Sequence, residues 1–372
     1  MHSRNPIPVA RKAYRYRPIR ALVSGEVIAK QAALRRGMST HRHSPSREVV
    51  SCQFVDNQAA LPQDHSGSGD DAENQSKPFR RRLSQEILMP SGTSAHITAR
   101  DGVRLHIETH DYTDPWKHAP ILILQHGFGR SGRFWYNMIP YLSRFYRVVC
   151  PDLRGLGKSS RDFDLATGLS IDNYLSDILC IADSLGAQSF HYAGESLGGV
   201  LGMALAASHP DRVRTLTLMT APLRPGMHKG FAFGYPSWRD ALRQLGAREW
   251  SKAMNTATRF PPGTDPGLLD WYSDEVGKCD VEVMIAMSVL APTIDVTPLL
   301  CKIKAPTLGL YPTGGPIATS GQEATLKAQV ANIRIVNLPT SYHMVWVVAP
   351  AACAEHMLHF MASNDGVTCR EQ

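Results

Sequence analysis

Tyr192-Ala193-Gly194-Glu195-Ser196-Leu197-Gly198-Gly199 joins an apolar run, Ser189 to Ala193, to a stretch of helical period, Leu197 to Ser208. It is a GxSxG string at the junction of an expected strand and an expected helix. A turn that sharp forces the serine into strained backbone geometry, so small residues are needed two positions before and after it. Gly194 and Gly198 meet that need, and Ser196 is the candidate nucleophile. The competing reading is a serine in an ordinary glycine-rich turn. The string alone is common by chance, and the strand and helix around it favour the nucleophile.

Working outward, short apolar runs alternate with helical periods from about Ala95 onward, which predicts an α/β fold with a mainly parallel sheet crossed over by helices. Ala95 to Ala99 and Val103 to Thr109 flank Asp101-Gly102 and read as an antiparallel hairpin. Ile121 to Gln125, Tyr146 to Cys150, Arg212 to Met219, Thr307 to Tyr311 and Ile333 to Leu338 read as further strands. Helices are expected at Arg133 to Arg144, at Ile171 to Leu185, at about Gln322 to Gln329 and at Pro350 to Met361. In the second of these Tyr174, Ile178, Ile181, Ala182 and Leu185 share one face. After Pro222 the alternation stops: Gly226 to Leu300 carries Trp, Tyr, Phe and Met at helix-like spacing and no convincing strand. The expected organisation is a core of residues 89–221 and 301–372 with a helical cap, 222–300, inserted between two strands.

Residues 1–88 read as a disordered basic and polar extension. Ser39 to Ser84 is rich in His, Ser, Gln, Asp and Arg with no sustained period. Residues 1–40 hold nine Lys or Arg against the single acid Glu26, so the remaining chain carries −1 of the net +7. A near-neutral body lacks the electrostatic footprint of a nucleic-acid binder. Ile19 to Arg36 could form a basic amphipathic helix resembling an organelle transit peptide. The alternative is a true start further on, with Met38 as one candidate. Seven scattered cysteines without a CxxC spacing argue against a disulfide framework and a zinc site, and fit a reducing compartment. No run approaches the roughly 20 apolar residues of a membrane helix. The expectation is a cytoplasmic protein without stable membrane insertion, mitochondrial if the extension is a genuine signal. Association into a homo-oligomer stays open.

The chemistry converges on two further loops. His126-Gly127-Phe128-Gly129 directly follows a strand. Acyl transfer needs preformed donors for a tetrahedral oxyanion, and two backbone N–H groups supply them without reorganisation. The expected pair is the amide of Leu197, at a helix N-terminus, and the amide of Phe128; His126 itself reads as structural. Ser341-Tyr342-His343-Met344-Val345 follows the last expected strand. With 15 histidines in the chain, position has to discriminate. His191 lies in a strand, His209 ends a helix, and His356 and His359 fall on the last helix, which leaves His343 as the candidate general base.

Residues 95 to 363 resemble the α/β-hydrolase superfamily. The resemblance rests on those loops together with Pro151-Asp152-Leu153-Arg154-Gly155-Leu156-Gly157-Lys158-Ser159 and His209-Pro210-Asp211-Arg212-Val213. It looks closest to the branch of enol-lactonases, meta-cleavage product hydrolases and aryl esterases. The resemblance implies an eight-stranded, mostly parallel sheet with an inserted helical cap, a serine-nucleophile hydrolase of carboxylic esters or lactones, and Asp152 and Arg154 as braces of their loop. It departs at one point. Such proteins carry the triad acid after the strand that follows the cap, where this chain has Gly315, or at the end of the preceding strand, where it has Met219-Thr220-Ala221. Glu323 as a substitute acid, a Ser196 and His343 dyad with the ring held by a carbonyl or Thr220, and a non-catalytic binding protein are the three readings of that gap. Trp238, Trp250, Phe260, Trp271, Tyr272, Met284 and Met287, with Phe134 and Trp135, could line an apolar pocket for a small-molecule substrate. A carbon–carbon bond hydrolase is the rival activity. No metal cluster, dinucleotide fingerprint or P-loop is present in the sequence, so no cofactor is expected.

Overall fold

Eight extended segments account for the alternation: β1 (Gly92–Thr98), β2 (Arg104–His110), β3 (Ile121–Gln125), β4 (Arg147–Pro151), β5 (Phe190–Glu195), β6 (Val213–Met219), β7 (Thr307–Pro312) and β8 (Ile333–Leu338). They form one sheet in the order β1-β2-β4-β3-β5-β6-β7-β8. The computed structural model describes residues 92–226, 229–315 and 320–366. The expectations for residues 1–88 lie outside these. β2 runs antiparallel to β1 and β4, and the other pairings are parallel. β3, β5 and β7 are buried along their whole length, as parallel strands covered on both faces must be, while β1 is an exposed edge.

The helices are α1 (Ile171–Ser184), α2 (Leu197–Ser208), α3 (Trp238–Met254), α4 (Pro266–Gly277), α5 (Val281–Leu290), α6 (Ser320–Gln329) and α7 (Pro350–Asp365). Their starts carry the side-chain caps that the sequence offers. Ser170 accepts the Asn173 amide, Ser237 that of Asp240, and Asp265 and Asp280 each accept two amides at the heads of α4 and α5. The stretch between β6 and β7 is helical, with α3, α4 and α5, and α3 is broken at Gly246, whose φ is +74°. One expectation fails. Arg133 to Arg144 is not a continuous helix but a 3-10 turn, Gly132–Trp135, followed by a single turn at Ile139–Leu142. Pro140 is the physical reason, since it cannot donate the amide that would bond the preceding turn.

Strand order places the site. β3 pairs with β4 on one side and β5 on the other. The loops leaving the carboxyl ends of β3 and β5 therefore lie side by side where the order reverses, the usual crevice of an open α/β sheet.

Candidate active site

Between β5 and α2 the chain reverses on one residue. Ser196 has φ +50° and ψ −119°, a left-handed conformation that costs a non-glycine residue about 1–3 kcal/mol. The surroundings hold it there: the Ser196 amide donates to Met219 O at the end of β6, 2.9 Å away. A Cβ on Gly194 would run into the Gly198 backbone, and one on Gly198 into Gln125 O of β3. The glycine spacing is thus a close-packing requirement between the elbow and the neighbouring strand. Ser196 is partly exposed, whereas Glu195 and Leu197 on either side are buried.

The loop after β3 closes against this elbow. His126 spans it as a neutral ring, with Nδ1 donating to Gly127 O at 2.8 Å and Nε2 accepting the Leu153 amide at 3.0 Å. Burial lowers its pKa, which keeps Nε2 an acceptor. The amides of Phe128 and Leu197 bond to no described residue and stand on the two segments that flank Ser196.

Glu195 and Arg130, singled out by neither motif nor spacing, tie the two loops together. Arg130 donates to the Glu195 carboxylate from Nε at 2.7 Å and from Nη2 at 2.6 Å, and the Gly127 amide donates to the same carboxylate. Both side chains are buried. Burial opposes the charge on Arg130, but Glu195 and Tyr272 outweigh it and raise its pKa. The position between Gly194 and Ser196 fills with an acid because an arginine directly after the Gly-Phe-Gly loop needs one. Opposite charges in two loops expected to meet were the available signal.

His343 sits in the loop after β8, is 5% exposed, and is tied through its backbone to the turn that follows α3. Its amide donates to Thr258 O at 3.1 Å, and that of Met344 to Arg259 O at 3.3 Å. No hydrogen bond joins the ring to Ser196, and Nδ1 is buried without a partner among the described residues. Burial, then the charges of Arg130 and Arg259, hold the imidazole well below the usual histidine range. Thr220 does not hold the ring, since its own Oγ1 is buried and has no partner among the described residues. Glu323 is exposed to a different task, accepting from Asn337 at 3.0 Å. Gly315 has φ +152°, and a Cβ there would come within 2.9 Å of Ser341 O, so the usual acid position abuts the histidine loop in a conformation closed to aspartate.

The fold and these loops agree with what the chain is similar to. Residues 120–254 match the family described as alpha/beta hydrolase fold. A strigolactone esterase from Arabidopsis thaliana is 37% identical over 244 residues, which cover 64% of this chain and 90% of that protein. RutD of Pseudomonas syringae, named as a carbamate hydrolase, is 35% identical over 251 residues, covering 66% of this chain and 95% of that protein. This chain belongs to the α/β-hydrolase family. Among solved structures, the enol-lactonase from Burkholderia xenovorans superposes with a TM-score of 0.63 at 24% identity, over 72% of this chain and 99% of that one.

In this α/β hydrolase the aromatic residues expected to line a pocket divide into two groups. Trp238 and Trp250 stand 6.3 and 6.2 Å from the Phe128 ring, and Met284 reaches Gly129, so these three border the loop after β3. Trp135 instead stacks on Trp346 at 5.6 Å, and Trp271 packs on Phe134 and on the exposed Tyr136. Asp152 and Arg154 are occupied by the chain itself. Asp152 accepts the Gly132 and Lys158 amides and faces His106 at 2.8 Å, while Arg154 grips Asp177 and Asp101. His191 lies between Thr215 and Asp365, and His209 caps α2. Among the described residues no helix is long and apolar enough to cross a membrane.

Proposed function

We propose that this hydrolase cleaves carboxylic esters or lactones through an acyl-enzyme on Ser196. The observation that carries the reading is the left-handed Ser196 at a strand–helix junction, flanked by two unengaged amides. Ser196 Oγ attacks the carbonyl carbon as His343 takes its proton, and the amides of Phe128 and Leu197 receive the oxyanion. His343 returns the proton to the leaving oxygen as the carbon–oxygen bond breaks. Water then repeats the sequence, giving a proton to His343 and releasing the acid from Ser196. The ring works without an acid, and Ser196 and His343 close to hydrogen-bonding distance on substrate binding. A relative named as an esterase supports ester cleavage, and one named as a carbamate hydrolase supports hydrolysis at an acyl carbon more broadly. The free cysteines support the cytoplasm as its compartment.

A second reading, a binding protein on a hydrolase fold, draws on the unpartnered His343 Nδ1. Labelling by a fluorophosphonate separates the two. Labelling that is lost in both Ser196→Ala and His343→Ala establishes an activated serine; no labelling of folded wild-type protein leaves the binding reading.

A further inference from the structure

Arg259 ends a π-helical turn, Asn255–Arg259, directly after α3. Its side chain is buried, at 5% exposure, and forms no ion pair with any described carboxylate. That is unusual, because buried charges are otherwise paired and an arginine cannot escape by losing its proton. The guanidinium donates from Nη1 to Tyr272 Oη at 3.2 Å and stacks over Trp250 and Tyr272, 5.6 and 5.4 Å from their ring centres.

Arg130 shows what such a group does when it is satisfied. It donates from Nη1 to the same Tyr272 oxygen, at 3.1 Å, while its Nε and Nη2 grip the Glu195 carboxylate side by side. Arg259 repeats half of this arrangement: Nη1 is on Tyr272, and its Nε and Nη2 are taken by no described residue. Two cations therefore converge on one phenol and only one has a protein carboxylate. Arg259 also borders the reacting groups. Its carbonyl accepts the Met344 amide beside His343, and Trp250 neighbours both its guanidinium and the Phe128 ring.

We infer that Arg259 binds a carboxylate carried by the substrate, held by the Nε and Nη2 edge as Glu195 is held by Arg130. The inference rests on the esterase reading above and narrows it to anionic esters: a lactone bearing a carboxylate, or the half-ester of a dicarboxylic acid. A planar, bidentate carboxylate is the ligand that a guanidinium edge fits. Bound there, it would bring negative charge beside His343, whose Nδ1 has no partner among the described residues.

The test compares 4-nitrophenyl hydrogen glutarate with 4-nitrophenyl pentanoate, esters of similar length with and without the distal charge. Wild-type kcat/KM should favour the half-ester by roughly 10- to 150-fold, the range of a hydrogen-bonded charge. In Arg259→Met that ratio should fall to about one through a raised KM for the half-ester, and Arg259→Lys should recover part of it. Equal rates for both esters in wild type, or a preference retained in Arg259→Met, overturn the inference while leaving the esterase reading standing. If neither ester turns over, the esterase reading fails, and calorimetry with glutarate still decides the inference: binding by wild type that Arg259→Met loses supports it, and no binding by wild type overturns it.

Discussion

The two halves of the site are built to different standards. On the elbow side the charged side chains and the histidine are partnered: Glu195 holds Arg130 and the Gly127 amide, His126 bridges Gly127 and Leu153, and the Ser196 amide is pinned to β6, while the Phe128 and Leu197 amides bond to no described residue. On the histidine side His343 Nδ1 and Thr220 Oγ1 are buried without partners among the described residues, and the buried Arg259 forms no ion pair with a described carboxylate. Ser196, the proposed nucleophile, is thus held in place by the chain alone, whereas His343, the proposed base, is left with an incomplete electrostatic environment.

The most severe way to break the comparison is on the elbow. Ser196→Ala should reduce ester turnover by about 10⁴-fold or more while leaving the fold intact, and the residual rate over water measures what the amides contribute alone. A Ser196→Ala enzyme that retains wild-type turnover would sink the nucleophile assignment. Next in size, Glu195→Ala leaves Arg130 buried and unpaired, which should destabilise the protein by about 3–5 kcal/mol in urea unfolding. Glu195→Leu combined with Arg130→Met should cost less than Glu195→Ala, since it removes both charges together. If all these variants unfold at the wild-type midpoint, the pair is not the brace described here.

Thr220→Asp probes the other half. Thr220 stands at the end of β6 with φ +47°, a conformation that suits aspartate better than a β-branched residue. An acid there would offer His343 the partner that both usual positions lack. Turnover should rise by about tenfold or more, within the ~10⁴ that a triad acid can contribute. Gly315→Asp should not match it, because its Cβ meets Ser341 O. A kcat in Thr220→Asp no higher than in wild type would mean that the base side is complete as it stands.

What could be read from the sequence follows the same division. The elbow, the loop after β3 and the position of His343 were legible because each is local: a glycine spacing, a strand end, a place in the chain order. The Glu195 and Arg130 pair was not, since its members are 65 residues apart and Glu195 stands at a position that the GxSxG pattern leaves open. Arg259 looked like one more cation among 40 lysines and arginines. Only its burial, and the lack of an ion pair with any described carboxylate, distinguish it. The failed helix at Arg133 to Arg144 is a different case: Pro140 is tolerated at the start of the turn Ile139–Leu142 but not inside a helix running from Arg133.

The smallest effect is on the pH dependence of stability. Burial depresses the pKa of His343 and of His126 below 6.5, in both cases chiefly by desolvating the charged ring. The unfolded chain protonates these rings near pH 6.5 while the folded one keeps them neutral, so below that pH the unfolded state binds more protons. Stability is therefore full above about pH 7 and falls as pH drops towards the folded-state values, by at most about 1.4 kcal/mol per pH unit for each ring. Asp152, whose pKa lies below 3.8 although burial opposes this, because His106 and backbone amides stabilise the carboxylate, acts only at lower pH; His110, also depressed by burial, adds to the decline, and Asp177, raised by burial, opposes it. Urea midpoints at pH 7, 6 and 5 should decline in wild type and decline less steeply in His343→Gln, which carries one such ring fewer. An unchanged slope in His343→Gln would show that the ring protonates freely in the folded protein, and the contrast between a sealed elbow and an electrostatically unfinished base would have to be redrawn.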